Sequence, residues 1–444
     1  MMIESNREMF ASMSLEPKPE VAAAPKEGKP QPAGVQEANT ERIILCMKEA
    51  LRTSLANISM EQKGRPLNPS TDFIFKAKVS FTAKSSARGG AGGGGCCSAT
   101  PVRDKRGDSL SDDSEDDDER TVKSAARDLG DFNFTDYSPM CYRHIREFFG
   151  IEWKTFQEVL VSSKWHSIPT PGKSTAQLFF CGQNWVVKTM TKEESKFLRD
   201  ILHRYYYHVR DNPHTLLPHF VGHHSLELEL DGSARKISFV IMQNVFATPN
   251  KIHEKFDLKG STVGRAATQQ ERRKQTCTKK DLDVNRPIRV GPARRALLMD
   301  QMRRDCDFLK KASIMDYSFL LGIHRPDGQV VAASSAQQGA AASTARTGRT
   351  PMPGPQAAPG ATEDERCFTA YQGGMLSLPL PDGGGAAERE VYYVGIIDIL
   401  QEYNLWKRSE TVVRGVIDDH REISSVHPKD YAARFVSFMS TLVV

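Results

Sequence analysis

The chain has no Cys-x-x-Cys pair, no run of about 18 apolar residues and no marked excess of charge of either sign, and each absence removes a class of protein. Its eight cysteines (46, 96, 97, 141, 181, 277, 306 and 367) are scattered over 444 residues. That usage suits reduced thiols in a reducing compartment and argues against a disulfide framework or a zinc site. Lys and Arg total 60 against 55 Asp and Glu, a net charge of +5, so overall charge carries no signature of nucleic-acid binding. Residues Met1 to Pro17 lack an apolar core behind a basic start, which sets aside a secretory leader. No internal repeat is present.

Large apolar side chains are scarce in three stretches, and these divide the chain. Residues 17–38 are rich in Pro, Ala, Lys and Glu and cannot offset the entropy of ordering, so 1–39 reads as a disordered tail. Ile43, Ile44, Met47, Leu51, Leu55 and Ile58 then recur at helical spacing, and Phe73 to Phe81 has the pattern of a strand, giving a helix and strand extension over 40–82. A glycine run (Gly89 to Gly95) and an acidic block (Asp112 to Glu119) mark 83–128 as a self-repelling linker. Ser109, Ser111 and Ser114 beside the acids fit either phosphorylation sites or a solvated tail. A third stretch, 332–387, is full of Ala, Gly, Ser and Pro and interrupts a domain over 129–444, because patterned sequence resumes on both sides. What is left suffices for one two-lobed enzyme dividing near residue 245.

Within that domain, Leu178 to Phe180 and Trp185 to Met190 flank a Cys-Gly-Gln-Asn turn and predict a hairpin. Thr191, with Glu194 three residues on, predicts a capped helix running past Phe197, Ile201 and Tyr205. Phe220 to Leu230 and Lys236 to Val245 meet at Asp231-Gly232, a second hairpin. Leu298, Met302, Cys306 and Leu309 share one face of a helix near 294–311, and Ile314 to His324 and Val391 to Leu400 are of strand length. The expected class is α+β: a sheet with one helix, then helices with short strands.

Several constellations could carry chemistry. Gly172-Lys173-Ser174-Thr175 is no P-loop, since Ser167 stands where the first glycine is needed; an ordinary turn and a nucleotide-covering turn both fit it. Lys188 lies in the apolar run Trp185 to Met190. Facing inward it would need an anion such as the phosphates of ATP, and facing outward it would sit at the sheet surface. Asp316 and Asp398 each adjoin an apolar run, and such a pair following an apolar-strand lysine suits Mg2+ binding and orientation of a substrate hydroxyl, whereas either alone fits a turn. Phe256 to Arg265 precedes a basic series (Arg272, Arg273, Lys274, Lys279, Lys280, Arg286, Arg289, Arg294 and Arg295). These cations could meet anionic lipid headgroups at about 1 kcal/mol each, or form a solvated face; no nucleic-acid motif accompanies them. His219, His223 and His224 lie in a strand-like segment and read as packing or surface histidines rather than metal ligands.

In family order, Asp136 to Met140, Arg143 to Ile151, Val187-Lys188-Thr189, Asn212 to Pro218, Met242 to Phe246, Phe256 to Arg265, Ile314 to His324, Gly395 to Gln401 and Val426 to Phe438 resemble the phosphatidylinositol phosphate kinases. The resemblance implies a two-lobed lipid-kinase fold distantly similar to protein kinases, with an antiparallel sheet in each lobe and a flat basic face on a membrane. It implies Lys188 as the ATP-phosphate lysine, Asp316 as the catalytic aspartate and Asp398 as the Mg2+ ligand. Gly172 and Ser174 would cover the nucleotide, and Met242, Asn244 and Val245 would line the adenine linker. Lys259 and Arg265 match positions at or supporting the headgroup site, and Lys407, Arg408 and Glu410 match the loop that sets specificity. Glu at 410 is the residue of the 5-kinases, which implies phosphorylation of phosphatidylinositol 4-phosphate at its 5-hydroxyl, and a pairing of Glu410 with Arg265 is expected. The implied location is cytoplasmic, peripheral at the cytosolic face of a membrane such as the plasma membrane, and the family analogy adds a homodimer. Two departures stand out. Thr175 replaces a glycine of the nucleotide turn, and Phe319 replaces a leucine beside Asp316.

Overall fold

The computed structural model describes residues 33–61, 65–82, 129–168, 176–274, 277–326, 368–379, 389–403 and 426–444, and the account below concerns these. Helix α1 (Ala33–Glu61) begins the described chain. It starts before Thr40, so the tail read over 1–39 ends within a helix. Then come β1 (Lys76–Phe81), β2 (Phe132–Tyr137), α2 (Pro139–Phe148), α3 (Trp153–Ser162), β3 (Trp165–Ile168), β4 (Leu178–Cys181), β5 (Trp185–Met190), α4 (Lys192–Asp211), β6 (Phe220–Leu230) and β7 (Ser233–Gln243). The seven strands form one sheet in the order β1-β2-β6-β7-β5-β4-β3, antiparallel throughout.

Local chemistry accounts for its joints. Asp231 and Gly232 both take left-handed backbone (φ 52° and 71°), the turn a two-residue hairpin demands, and so close β6 onto β7. The Thr191 hydroxyl accepts from the Glu194 amide while the Glu194 carboxylate accepts from the Thr191 amide, which starts α4. One side of the sheet packs against α1 and α3 through Met47, Leu51, Phe156 and Leu160.

The second half continues with β8 (Glu254–Leu258), β9 (Thr278–Lys279), α5 (Pro292–Lys311), β10 (Ser318–His324), β11 (Met375–Leu376), β12 (Val391–Ile397) and α6 (Pro428–Leu442). Five strands form a second sheet in the order β11-β12-β10-β8-β9. It departs from the expected all-antiparallel pattern at one edge, where the two-residue β9 runs parallel to β8. A single apolar core joins α2, α4, α5 and α6 to this sheet, so the two halves are packed together.

The stretch read as a low-complexity insert over 332–387 contains an ordered piece. Residues 368–379 bury Phe368 and Met375, and β11 pairs with β12. Two large apolar anchors amid Ala, Gly and Pro suffice to seat it, and averaging composition over the segment conceals them.

Glu254 at the start of β8 accepts from Lys279 at 2.6 Å and Arg286 at 2.7 Å, and also from Arg325. Burial alone would raise this carboxyl, but the bonds from Arg286 and Lys279 override it and hold the pKa at about 2. Because the folded value lies below the ordinary one, the contribution to stability is complete above about pH 4.5 and is lost as pH falls towards 2; it amounts to at most about 3 kcal/mol. Acid unfolding followed by circular dichroism should therefore show a limb in that window that Glu254→Gln flattens. An unchanged limb would mean the cluster is not coupled to folding.

Candidate functional site

The site begins where β10 and β12 end together. Ser318 is paired with Ile397, and just outside that pair lie Asp316 on the incoming chain and Asp398 on the outgoing one. Both have left-handed backbone, φ 63° and 62°. This conformation costs an L-residue of order 1 kcal/mol and is best tolerated, after glycine, by Asn and Asp. The bridge Ile314 to Glu402 and the bond from the Met315 amide to the Gln401 carbonyl (3.3 Å) clamp the two chains beyond the aspartates. Two carboxylates thus occupy one end of a strand pair in paired, unusual conformations.

The first sheet supplies the cation. Lys188 sits in β5 between Leu178 of β4 and Val240 of β7. Its Nζ lies 3.4 Å from Asp398 Oδ1 and 4.0 Å from Glu194 Oε1, so it faces the second sheet, its side chain only 17% exposed. Glu194 therefore does two things: it caps α4 and stands beside the lysine. The sequence shows the first role through the Thr-x-x-Glu pattern but gives no sign of the second.

A second cation meets Asp316. Lys259, directly after β8, donates to the Asp316 carboxylate at 2.7 Å and to its backbone carbonyl at 2.9 Å. Register explains the meeting, since Leu258 pairs with Phe319. The loop after Lys259 is built on Asp281, whose carboxylate accepts from the amides of Lys259 (2.9 Å) and Gly260 (2.7 Å) and from Arg265 Nε (2.7 Å). Gly260 (φ 69°) lies so near α6 that an added Cβ would stand 3.0 Å from Phe438. Arg265 also donates to the Asp257 carboxylate at 2.7 Å, and its side chain is 11% exposed. Burial would lower its pKa, but Asp281 and Asp257 together raise it. Arg265 thus supports the loop that presents Lys259. Asp257 and Asp281, which orient it, carry no signal of this role in the sequence, although Asp257 lies within Phe256 to Arg265.

Between the sheets run Met242, Gln243, Asn244 and Val245, all half-buried. The Asn244 amide donates to the Asn184 carbonyl at 2.7 Å, tying this linker to the β4–β5 turn. Two strand glycines receive its far end: a Cβ at Gly395 would lie 3.1 Å from Val245, and one at Gly322 would lie 2.5 Å from the Phe246 ring.

The basic series is largely spent internally. Arg272 pairs with Asp283, Lys279 with Glu254, and Arg286 with Glu254 and Glu390. Arg294 donates to the Leu376 carbonyl, and Arg295 to the carbonyls of Val443 and Ser440. Part of the charge that reads as a lipid-facing patch is thus engaged within the fold, two of its arginines fastening β11 and the C-terminus. His223 and His224 lie in β6 and His219 just before it: His223 bonds Ser195 at 2.9 Å, His224 stands 3.1 Å from Asp136, and His219 stacks on Phe149. Burial pushes the pKa of His219 down and that of His223 well down. Gly172 and Ser174, and Lys407, Arg408 and Glu410 with its expected pairing to Arg265, lie outside the described residues.

Among the described residues, no group of three or more His, Cys, Asp or Glu gathers as a metal cage, and no helix is long and apolar enough to cross a membrane. The exposed carboxylate of Asp398, 58% accessible and beside Lys188, is the kind of single hard-oxygen ligand that Mg2+ accepts when phosphate oxygens and water complete its shell.

A family model described as Phosphatidylinositol-4-phosphate 5-Kinase matches residues 160–442. A probable phosphatidylinositol phosphate kinase of Dictyostelium discoideum is 36% identical over 365 residues, covering 73% of this chain and 49% of the relative. The phosphatidylinositol 4-phosphate 5-kinase its3 of Schizosaccharomyces pombe is 32% identical, covering 70% and 46%, and the human type-1 alpha enzyme of that name is 33% identical, covering 72% and 57%. The chain thus spans about half the length of the curated relatives it matches.

Proposed function

Because the chain belongs to the phosphatidylinositol-4-phosphate 5-kinase family, we propose that it transfers the γ-phosphoryl group of ATP to the 5-hydroxyl of phosphatidylinositol 4-phosphate. The observation that carries this reading is the 3.4 Å contact of Lys188 with Asp398 across the two sheets, beside a second aspartate at the same strand end. In the reading, the Lys188 ammonium holds ATP phosphates and Glu194 keeps it aimed into the cleft. Met242, Asn244 and Val245 border the adenine. Asp398 is the residue that would hold Mg2+, which when bound neutralises charge on the phosphate oxygens. Asp316 orients or deprotonates the attacking hydroxyl, and Lys259 beside it fixes that carboxylate or meets the headgroup phosphate. Positioning and charge neutralisation then supply most of the acceleration.

The two packed halves act as the two lobes of an architecture distantly similar to protein kinases, with the nucleotide between them. Gly172 and Ser174 cover the phosphates, Lys407 and Arg408 meet lipid phosphate, and Glu410 sets the choice of substrate. The protein works as a peripheral enzyme at the cytosolic face of a membrane, as a homodimer, with no nucleic-acid partner. The names of the relatives support the substrate and the type of reaction.

The test is labelling of vesicles that each carry one monophosphorylated inositol lipid, using the full chain, Mg-ATP and positional analysis of the product. The 4-phosphate lipid should yield the 4,5-bisphosphate, and Asp316→Asn should yield none. Preferential labelling of the 5-phosphate or the 3-phosphate lipid would move the reading to a sister substrate. No labelling of any lipid would overturn it in favour of a lipid-binding scaffold.

A further inference from the structure

The segment Asp281-Leu282-Asp283 inverts the usual sorting of side chains. The two carboxylates are turned inward, 3% and 6% exposed, and the leucine between them is 45% exposed. Exposed leucines are common singly, but a leucine held outward by two buried acids is informative. Asp281 is committed to Lys259, Gly260 and Arg265, and Asp283 accepts from the amides of Ala267 and Lys280 and from Arg272. The Leu282 amide donates to the Arg265 carbonyl at 2.9 Å, which sets this leucine against the preceding loop. There the chain turns from Thr262 to Arg265, closed by a 3.1 Å bond and made possible by Gly264 at φ 68°. At the corner of that turn stands Val263, 43% exposed. Two apolar tips thus project from one hydrogen-bonded knot that also presents Lys259 to Asp316.

Near the tips Asp281 and Asp283 are turned inward onto Arg265 and Arg272, and Glu271 is engaged in capping the neighbouring helical turn at Thr268, while Arg273 and Lys274 after that turn are exposed. Apolar tips with exposed cations on the neighbouring turn suit an anionic bilayer, with headgroups outside and acyl chains beneath.

We propose that Val263 and Leu282 form a wedge that inserts into an anionic bilayer surface and so seats Asp316 at the depth of the lipid headgroup. The inference rests on the lipid-kinase reading for its purpose, but its geometry stands apart from it. An acyl-bearing substrate presents its inositol at the interface, so an enzyme that acts there gains by fixing its height, and two side chains on the loop that presents Lys259 to Asp316 fix it more directly than distant charge.

The test uses the full chain and phosphatidylcholine vesicles with and without phosphatidylserine. Each of Val263→Asp and Leu282→Asp should weaken sedimentation with the anionic vesicles roughly tenfold, the two effects multiplying in the double variant. Melting temperatures should stay at that of the parent, since both side chains are exposed. Val263→Trp should add a blue-shifted emission on anionic vesicles, absent from the parent, that brominated acyl chains quench. Undiminished vesicle binding by both Asp variants, or a tryptophan that brominated lipid does not quench, would overturn the wedge and leave the patch to a protein partner. Insertion without lipid phosphorylation would keep the wedge and sink the kinase reading, so the two failures are distinguishable.

Discussion

Asp305→Ala should lower unfolding stability by about 3–5 kcal/mol, the cost of removing one partner from a buried charged cluster. The carboxylate of Asp305 in α5 is fully buried, and one oxygen accepts from His208 Nε2 at 2.6 Å, Thr215 Oγ at 2.7 Å and Gln301 Nε2 at 3.0 Å. The other accepts from the Leu216 amide at 2.8 Å. Alanine would leave these donors facing a void. The effect should reach the site as well, because the Leu216 carbonyl accepts from the Ile396 amide at 2.6 Å, two residues before Asp398. One carboxylate thereby joins α4, α5 and the edge of β12. Urea denaturation measures the loss, and a loss below about 1 kcal/mol would show that the cluster does not tie the halves together.

Much of this was legible in the sequence, and the boundary has physical causes. The β4–β5 and β6–β7 hairpins and the start of α4 follow from local chemistry: Asp-Gly at a two-residue turn and Thr-x-x-Glu at a cap act over a few residues. The candidate pair Lys188 and Asp398 was visible as charge set in apolar strands, where burial demands a partner. What the chain order hid was partnership over distance. Asp305 sits on an α5 face otherwise read as apolar, and its donors Thr215 and Leu216 lie 90 and 89 residues away. Asp257, Asp281 and Glu194 act through register and loop closure, which no periodicity encodes. The basic series is only partly legible for the same reason: composition counts cations, while the fold decides which of them bond inward to Glu254, Asp283 or backbone carbonyls. The ordered 368–379 piece shows the complementary failure, where a few well-placed apolar residues outweigh the composition around them.

On the proposed kinase reading, the largest effects on activity should come from Lys188 and Asp398. Their groups stand 3.4 Å apart although 210 residues separate them in the chain, and in this account they serve one metal-bound nucleotide. Removing a preorganised charge from such a site costs about 10²–10³ in turnover. Lys188→Met deletes the ammonium and keeps an apolar stem in β5. Asp398→Asn deletes the carboxylate while suiting the left-handed backbone at that position. Groups that act as a unit are strongly non-additive, so the second loss should add little once the first has been taken. The decisive measurement is therefore kcat/KM for ATP on phosphatidylinositol 4-phosphate vesicles for the parent, Lys188→Met, Asp398→Asn and the double variant. The double variant should fall no more than about tenfold below the worse single one; losses that multiply in full would mean that the two residues serve separate tasks.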